Sequence, residues 1–71
     1  MDGFALRGAD LPAQGERKFT LVGDVFAGAL SAPEVGEGQC VRTTTGAPMP
    51  PGADTVVIKE NVSVEGEHVV V

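Results

Sequence analysis

The 71-residue chain carries ten Asp and Glu against five Lys and Arg, a formal charge of −5, with three Phe, no Trp or Tyr and a single Cys. A chain this short holds one core and buries a modest share of its surface. Its acidic balance argues against nucleic acid and anionic membrane as partners, because both are bound through basic patches that replace counterions. The lone Cys40 excludes an internal disulfide and a cysteine zinc site, so a stapled secreted mini-protein is ruled out and a reducing, cytoplasmic setting is expected. No basic stretch leading into an apolar one and no apolar run of bilayer length occurs, so neither a signal peptide nor a membrane span is expected.

After the opening Met1-Asp2-Gly3-Phe4-Ala5-Leu6-Arg7, the only helical candidate is about one turn over residues 9–13, since Gly8, Pro12 and Gly15 punctuate it. Residues 17–26 read as a strand, with Phe19, Leu21 and Val25 on one face and Thr20, Val22, Asp24 and Phe26 on the other, packed on both sides. Residues 27–38 hold Gly28, Pro33, Gly36 and Gly38 and read as loop. Two further strands are expected over 39–45 and 55–59, the second a short run of β-branched residues. Residues 61–65 and 67–71 alternate around Glu65-Gly66-Glu67, which predicts a hairpin with glycine free to take positive φ. The fold class is therefore all-β, one domain over 1–71, with at most one short helical turn.

Few motifs here carry chemistry of their own. Gly36-Glu37-Gly38 lacks the third glycine and the following helix of a dinucleotide loop, and neither Lys18 nor Lys59 follows the glycines of a phosphate loop. His68 has no acidic or nucleophilic residue at recognisable spacing and reads as a solvent-facing strand residue. Cys40 shares a face with Arg42, which could lower a thiol pKa, but a free Cys more often packs as a small hydrophobe. The ten carboxylates are scattered, so no metal site is expected from this chain alone. Asn61-Val62-Ser63 matches the glycosylation sequon and, with no secretion route, reads as ordinary surface.

The densest signal is Arg42-Thr43-Thr44-Thr45-Gly46-Ala47-Pro48-Met49-Pro50-Pro51-Gly52-Ala53-Asp54-Thr55-Val56-Val57. Three threonines favour extended backbone, Gly46 allows a turn, and the prolines fix φ and remove donors. The Thr45 hydroxyl is thus expected at a strand end. From the residues alone, Asp2 reads as a turn-forming carboxylate before Gly3 and Thr45 as a hydroxyl capping its own turn.

Taken together, the MDGFALR opening, the GDVFAG segment from Gly23 to Gly28 and the VRTTTGAPMPPGADTVV run resemble, in order and spacing, the molybdopterin molybdenumtransferase family, which includes MoeA and the gephyrin E domain. The likeness covers nearly the whole chain. It implies an N-terminal inserted β-domain of coiled, partly bifurcated sheets, a fragment of a larger multi-domain enzyme. It further implies that the parent inserts molybdate into adenylylated molybdopterin with Mg²⁺ assistance and releases AMP. By this resemblance the domain forms one wall of a cleft closed by the pterin-binding domain of the partner subunit in a homodimer, and it binds neither cofactor alone. Asp2 and Thr45 match the cleft residues of the family, with Gly3, Arg42, Gly46 and Pro48 as loop-shaping supports. Two departures stand out: Phe4 replaces a frequent Tyr, and Thr43-Thr44 replaces a more apolar pair. Readings from other classes are a protein-interaction or scaffold module and a small ligand-binding β-barrel; the lack of exposed aromatic platforms speaks against an oligonucleotide ligand for the latter.

Overall fold

A computed structural model describes residues 2–12 and 14–71. Six strands form one curled sheet: β1 (Gly3–Leu6), β2 (Lys18–Val25), β3 (Gln39–Thr43), β4 (Thr55–Ile58), β5 (Ser63–Glu65) and β6 (His68–Val70), in the spatial order β4-β1-β3-β2-β6-β5. All neighbouring pairs are antiparallel except β2 and β3, which run parallel. The long loop after β2 makes that crossover. Every residue of β1 is buried, because it lies between β3 and β4 and has side chains packed on both faces.

Pleating sorts the core into two clusters. Phe4 and Leu6 share a face with Cys40, Phe19 and Val69, and Leu11, Leu21, Val57, Val62 and Val71 pack around them. Val41, on the opposite face of β3, packs with Val25 and Val35, and small side chains close over them: Ala29, Ala32, Ala47 and Ala53.

A bulge in β2 explains how one strand serves both clusters. Leu21 pairs with Cys40 and Asp24 with Arg42, so three steps along β2 match two along β3. The extra residue flips the alternation. Phe19 therefore enters the first cluster while Val25 enters the second, which corrects the expectation that both lie on one face. The expectation of packing on both sides of residues 17–26 also fails, since Thr20, Val22, Asp24 and Phe26 are exposed, Phe26 by 55%.

Elsewhere the boundaries tighten. A 3₁₀ turn spans Gly8–Asp10; Ala13, the predicted end of the helical turn, lies outside the described residues. β4 ends at Ile58 and a second 3₁₀ turn, Lys59–Asn61, follows, so Lys59 belongs to the turn and the last hairpin begins at Ser63. In that hairpin Glu65 faces His68 across the two-residue loop Gly66-Glu67, with glycine at the first central position as a type II′ turn requires. His68 is half-buried rather than fully solvent-facing.

The chain before β2 is tied to the sheet by Asp10. This buried carboxylate accepts from the Gly38 N–H at 3.0 Å, and Arg7 and Arg17 approach it at 3.8 and 3.9 Å. Arg17 also donates to the Asp10 carbonyl at 2.8 Å and lies over the Phe19 ring, 5.3 Å from its centroid. Burying a charge is tolerable when it is paired and hydrogen-bonded in this way.

Candidate functional site

The segment after β3 owes its shape to two tight turns in succession. In the first, the Ala47 N–H donates to the Thr44 carbonyl at 3.0 Å; in the second, the Ala53 N–H donates to the Pro50 carbonyl at 3.1 Å. Each has glycine at its third position, Gly46 at φ +88° and Gly52 at φ +89°, and the second has Pro51 ahead of its glycine. This is the type II pattern, which demands positive φ at that position. The Val35 N–H donates to the Pro51 carbonyl at 2.8 Å, and Ala47 and Ala53 pack on the Val25, Val35 and Val41 cluster. The segment is thus anchored by backbone bonds and by its own alanines.

β3 stops at Thr43, so Thr45 does not sit at a strand end as expected. Type II geometry begins at Thr44, because Gly46 supplies the positive φ that a continuing strand excludes, and Thr45 occupies the second position of the turn. From there Thr45 lines a cavity of about 260 Å³ together with Asp2, Gly3, Thr43 and Thr44. Ala47, Met49, Val56 and Ile58 form its apolar side. Hydroxyls from one side and aliphatic groups from the other suit a ligand with a polar end.

Asp2 precedes β1 at the rim of this cavity. Its Oδ2 lies 3.4 Å from Arg42 Nη2 and 4.0 Å from Lys59 Nζ, and its backbone carbonyl accepts from the Lys59 N–H at 3.1 Å. Gly3 has to be glycine for a steric reason: a Cβ there would come within 2.8 Å of the Val57 carbonyl oxygen and 2.9 Å of Val56 Cγ1. Among the proposed supports, Gly46 shapes the turn, Pro48 is an exposed part of the same segment, and Arg42 contacts Asp2 directly. Arg42 and Lys59 also line a second cavity of about 540 Å³ with Phe4, Leu21, Asp24 and Val64.

Lys59 and the apolar wall of Met49, Val56 and Ile58 are the site residues that sequence reasoning passed over. Met49 comes from the turn segment after β3; the places of Lys59, Val56 and Ile58 follow from the pairing of β1 with β4, in which Gly3 faces Ile58, and no local pattern encodes a pairing between strands so far apart in the chain.

Two ionisable groups depart from their ordinary behaviour. Burial pushes the Cys40 thiol up to about 11, so Arg42 does not activate it and Cys40 packs as a hydrophobe. The Asp54 carboxyl is held below 3.8, first by the Gly8 N–H donating to it at 2.7 Å and then by the Thr55 hydroxyl at 2.9 Å. These bonds clip the start of β4 to the turn after β1. Among the described residues, no group of three or more His, Cys, Asp or Glu could hold a metal ion. Asp2, the one carboxylate at the cavity, already faces two cations. This donor set does not fit Mg²⁺ unaided.

Residues 1–71 match the family described as the MoeA N-terminal region, domains I and II. The chain belongs to this family. It is 44% identical over 63 residues to the molybdopterin molybdenumtransferase of Bacillus subtilis, covering 83% of this chain and 14% of that protein. The Staphylococcus epidermidis protein of the same name is 39% identical over 69 residues, covering 93% and 16%. Two crystal structures of the molybdopterin biosynthesis MoeA protein from Pyrococcus horikoshii superpose over the whole chain. Their TM-scores are 0.90 and 0.88 at 27% and 31% identity, and they match 19% and 20% of those chains. The all-β fold is therefore that of the MoeA N-terminal region, and the chain spans about a sixth of the length of the curated relatives it matches. No helix among the described residues is long and apolar enough to cross a membrane.

Proposed function

We propose that residues 1–71 are one β-domain of a longer, cytoplasmic molybdopterin molybdenumtransferase and form one wall of the cleft in which molybdate is inserted into adenylylated molybdopterin. Family membership supports the enzyme class. The observation that carries the cleft reading is that Asp2 and Thr45, drawn from two motifs far apart in the chain, line the same cavity.

In this reading the pterin-binding domain of the partner subunit closes the cleft, and the isolated chain is silent because it supplies only a wall. The Thr45 hydroxyl can donate to a phosphate or molybdate oxygen, and the Asp2 carboxylate can accept from a substrate N–H or O–H. Neither is a nucleophile. Mg²⁺, which the resemblance implies, would need its other ligands from outside this chain.

The test is made in the full-length protein that carries this segment. Asp2→Asn removes a charge and Thr45→Val a hydroxyl, each at nearly constant shape. Molybdate insertion is expected to fall at least about tenfold for each, or about 1.4 kcal/mol of transition-state stabilisation, with little change in melting temperature. Activity within about twofold of the parent for both would overturn the site, and a joint fall of activity and melting temperature would make both residues structural.

A further inference from the structure

The pairing of β1 with its two neighbours places cations on both sides of Asp2. Gly3 faces Ile58 on β4, so one step earlier Asp2 comes opposite Lys59; Phe4 faces Arg42 on β3, so Asp2 lies diagonally from Arg42 on the same face. Direct and diagonal neighbours across a sheet are the pairs that interact. The contacts follow this geometry, at 3.4 Å from Arg42 and 4.0 Å from Lys59, both to the same oxygen, Oδ2. The Lys59 N–H bond to the Asp2 carbonyl fixes the main chain as well. Asp2 is thereby bracketed at the end of a buried strand, where a free aspartate would turn among its rotamers.

The other basic residues are placed differently. Arg7 and Arg17 are committed to Asp10, and Lys18 pairs with Val70 on the far side of β2. Arg42 and Lys59 are about half exposed, at 47% and 59%, so their pairing with Asp2 contributes little to stability. Their effect lies in where the carboxylate points. Both side chains line the second cavity while Asp2 itself lines the first, so the bracket holds Oδ2 between the two.

We propose that Arg42 and Lys59 are positioning residues that fix the Asp2 carboxylate at the rim of the Thr45 cavity. The proposal rests on the cleft reading above. Lys59, in the 3₁₀ turn after β4, is as much part of the bracket as Arg42.

A double-mutant cycle in the full-length protein tests it. Arg42→Met and Lys59→Met are each expected to lower molybdate insertion about three- to fivefold, the upper range for an exposed ion pair. In an Asp2→Asn background the same changes should alter activity less than about 1.5-fold, because nothing remains to be positioned. Arg42→Lys and Lys59→Arg, which keep the cation, should stay within about twofold of the parent. A general structural role would give the same loss in both backgrounds, and that result overturns the proposal. So does full activity of both Met variants while Asp2→Asn is impaired. If Asp2→Asn itself is fully active, the cleft reading fails first and the positioning role falls with it.

Discussion

The cluster of Phe4, Leu6, Phe19, Cys40 and Val69 and the cluster of Val25, Val35 and Val41 occupy opposite faces of one sheet but are made of different material. The first holds two aromatic rings and a leucine, fully or nearly fully buried. The second is valine closed over by alanine, and its lid is the pair of turns that carries Thr45. Large apolar side chains supply most of the burial energy, about 1.5–3 kcal/mol for each one fully buried. Small ones let a backbone approach closely. The first cluster therefore holds the fold, and the second sets the height and angle of the cavity wall.

The largest effect expected from this division is at Phe19. Phe19→Ala should cost about 3–5 kcal/mol, enough to unfold a chain whose total stability is on the order of several kcal/mol. Phe26→Ala, at an exposed position just after β2, should cost less than about 1 kcal/mol. Urea unfolding monitored by circular dichroism distinguishes them, and equal losses would mean that the burial of Phe19 in the first cluster adds nothing.

Next come the glycines of the two turns. A Cβ on Gly52 would run into the Val35 carbonyl oxygen, whereas on Gly46 it would meet only the Ala27 Cβ at 3.4 Å. Both replacements strain a positive φ, at a cost of about 1–3 kcal/mol, and Gly52→Ala adds a collision. Thermal melting should therefore drop further for Gly52→Ala than for Gly46→Ala. The reverse order would mean that the turn nearer Thr45 is the better anchored.

The smallest effect concerns pH. Asp54 has a depressed carboxyl in the folded chain, so its contribution is present above the unfolded value of about 3.9. It is lost as pH falls through the lower folded value. Between pH 6 and pH 2.5 the parent should lose more melting temperature than Asp54→Asn does. Parallel curves would mean that the clip from Asp54 to Gly8 and Thr55 adds nothing in solution.

The strands were legible because β-branched residues and alternation mark them locally, and Glu65-Gly66-Glu67 marks its own turn. Asp2 and Thr45 were legible as a pair only through the family likeness of their two motifs. The bulge in β2 was hidden: an extra residue is defined by the strand beside it, and nothing in Leu21-Val22-Gly23-Asp24 announces that β3 lies alongside in parallel. Phe26 was misplaced for the same reason, its face having been inferred from a regular alternation. Lys59 was read as the end of a strand because its importance comes from facing Asp2, a relation between residues at opposite ends of the chain.

β1 lies one strand in from an edge of the sheet, and both strands that flank it, β3 and β4, follow it in the chain. During synthesis Gly3–Leu6 would leave the ribosome with no pairing partner until Gln39–Thr43 is free, and with its other edge open until Thr55–Ile58 follows. Its only neighbours are reached by closing long loops, which costs entropy before any contact is gained. Folding should then be slow for so small a chain, in the millisecond-to-second range of topologies dominated by distant pairings. A nascent chain that has not yet exposed β4 would leave one edge of the apolar Phe4-Ala5-Leu6 segment unpaired.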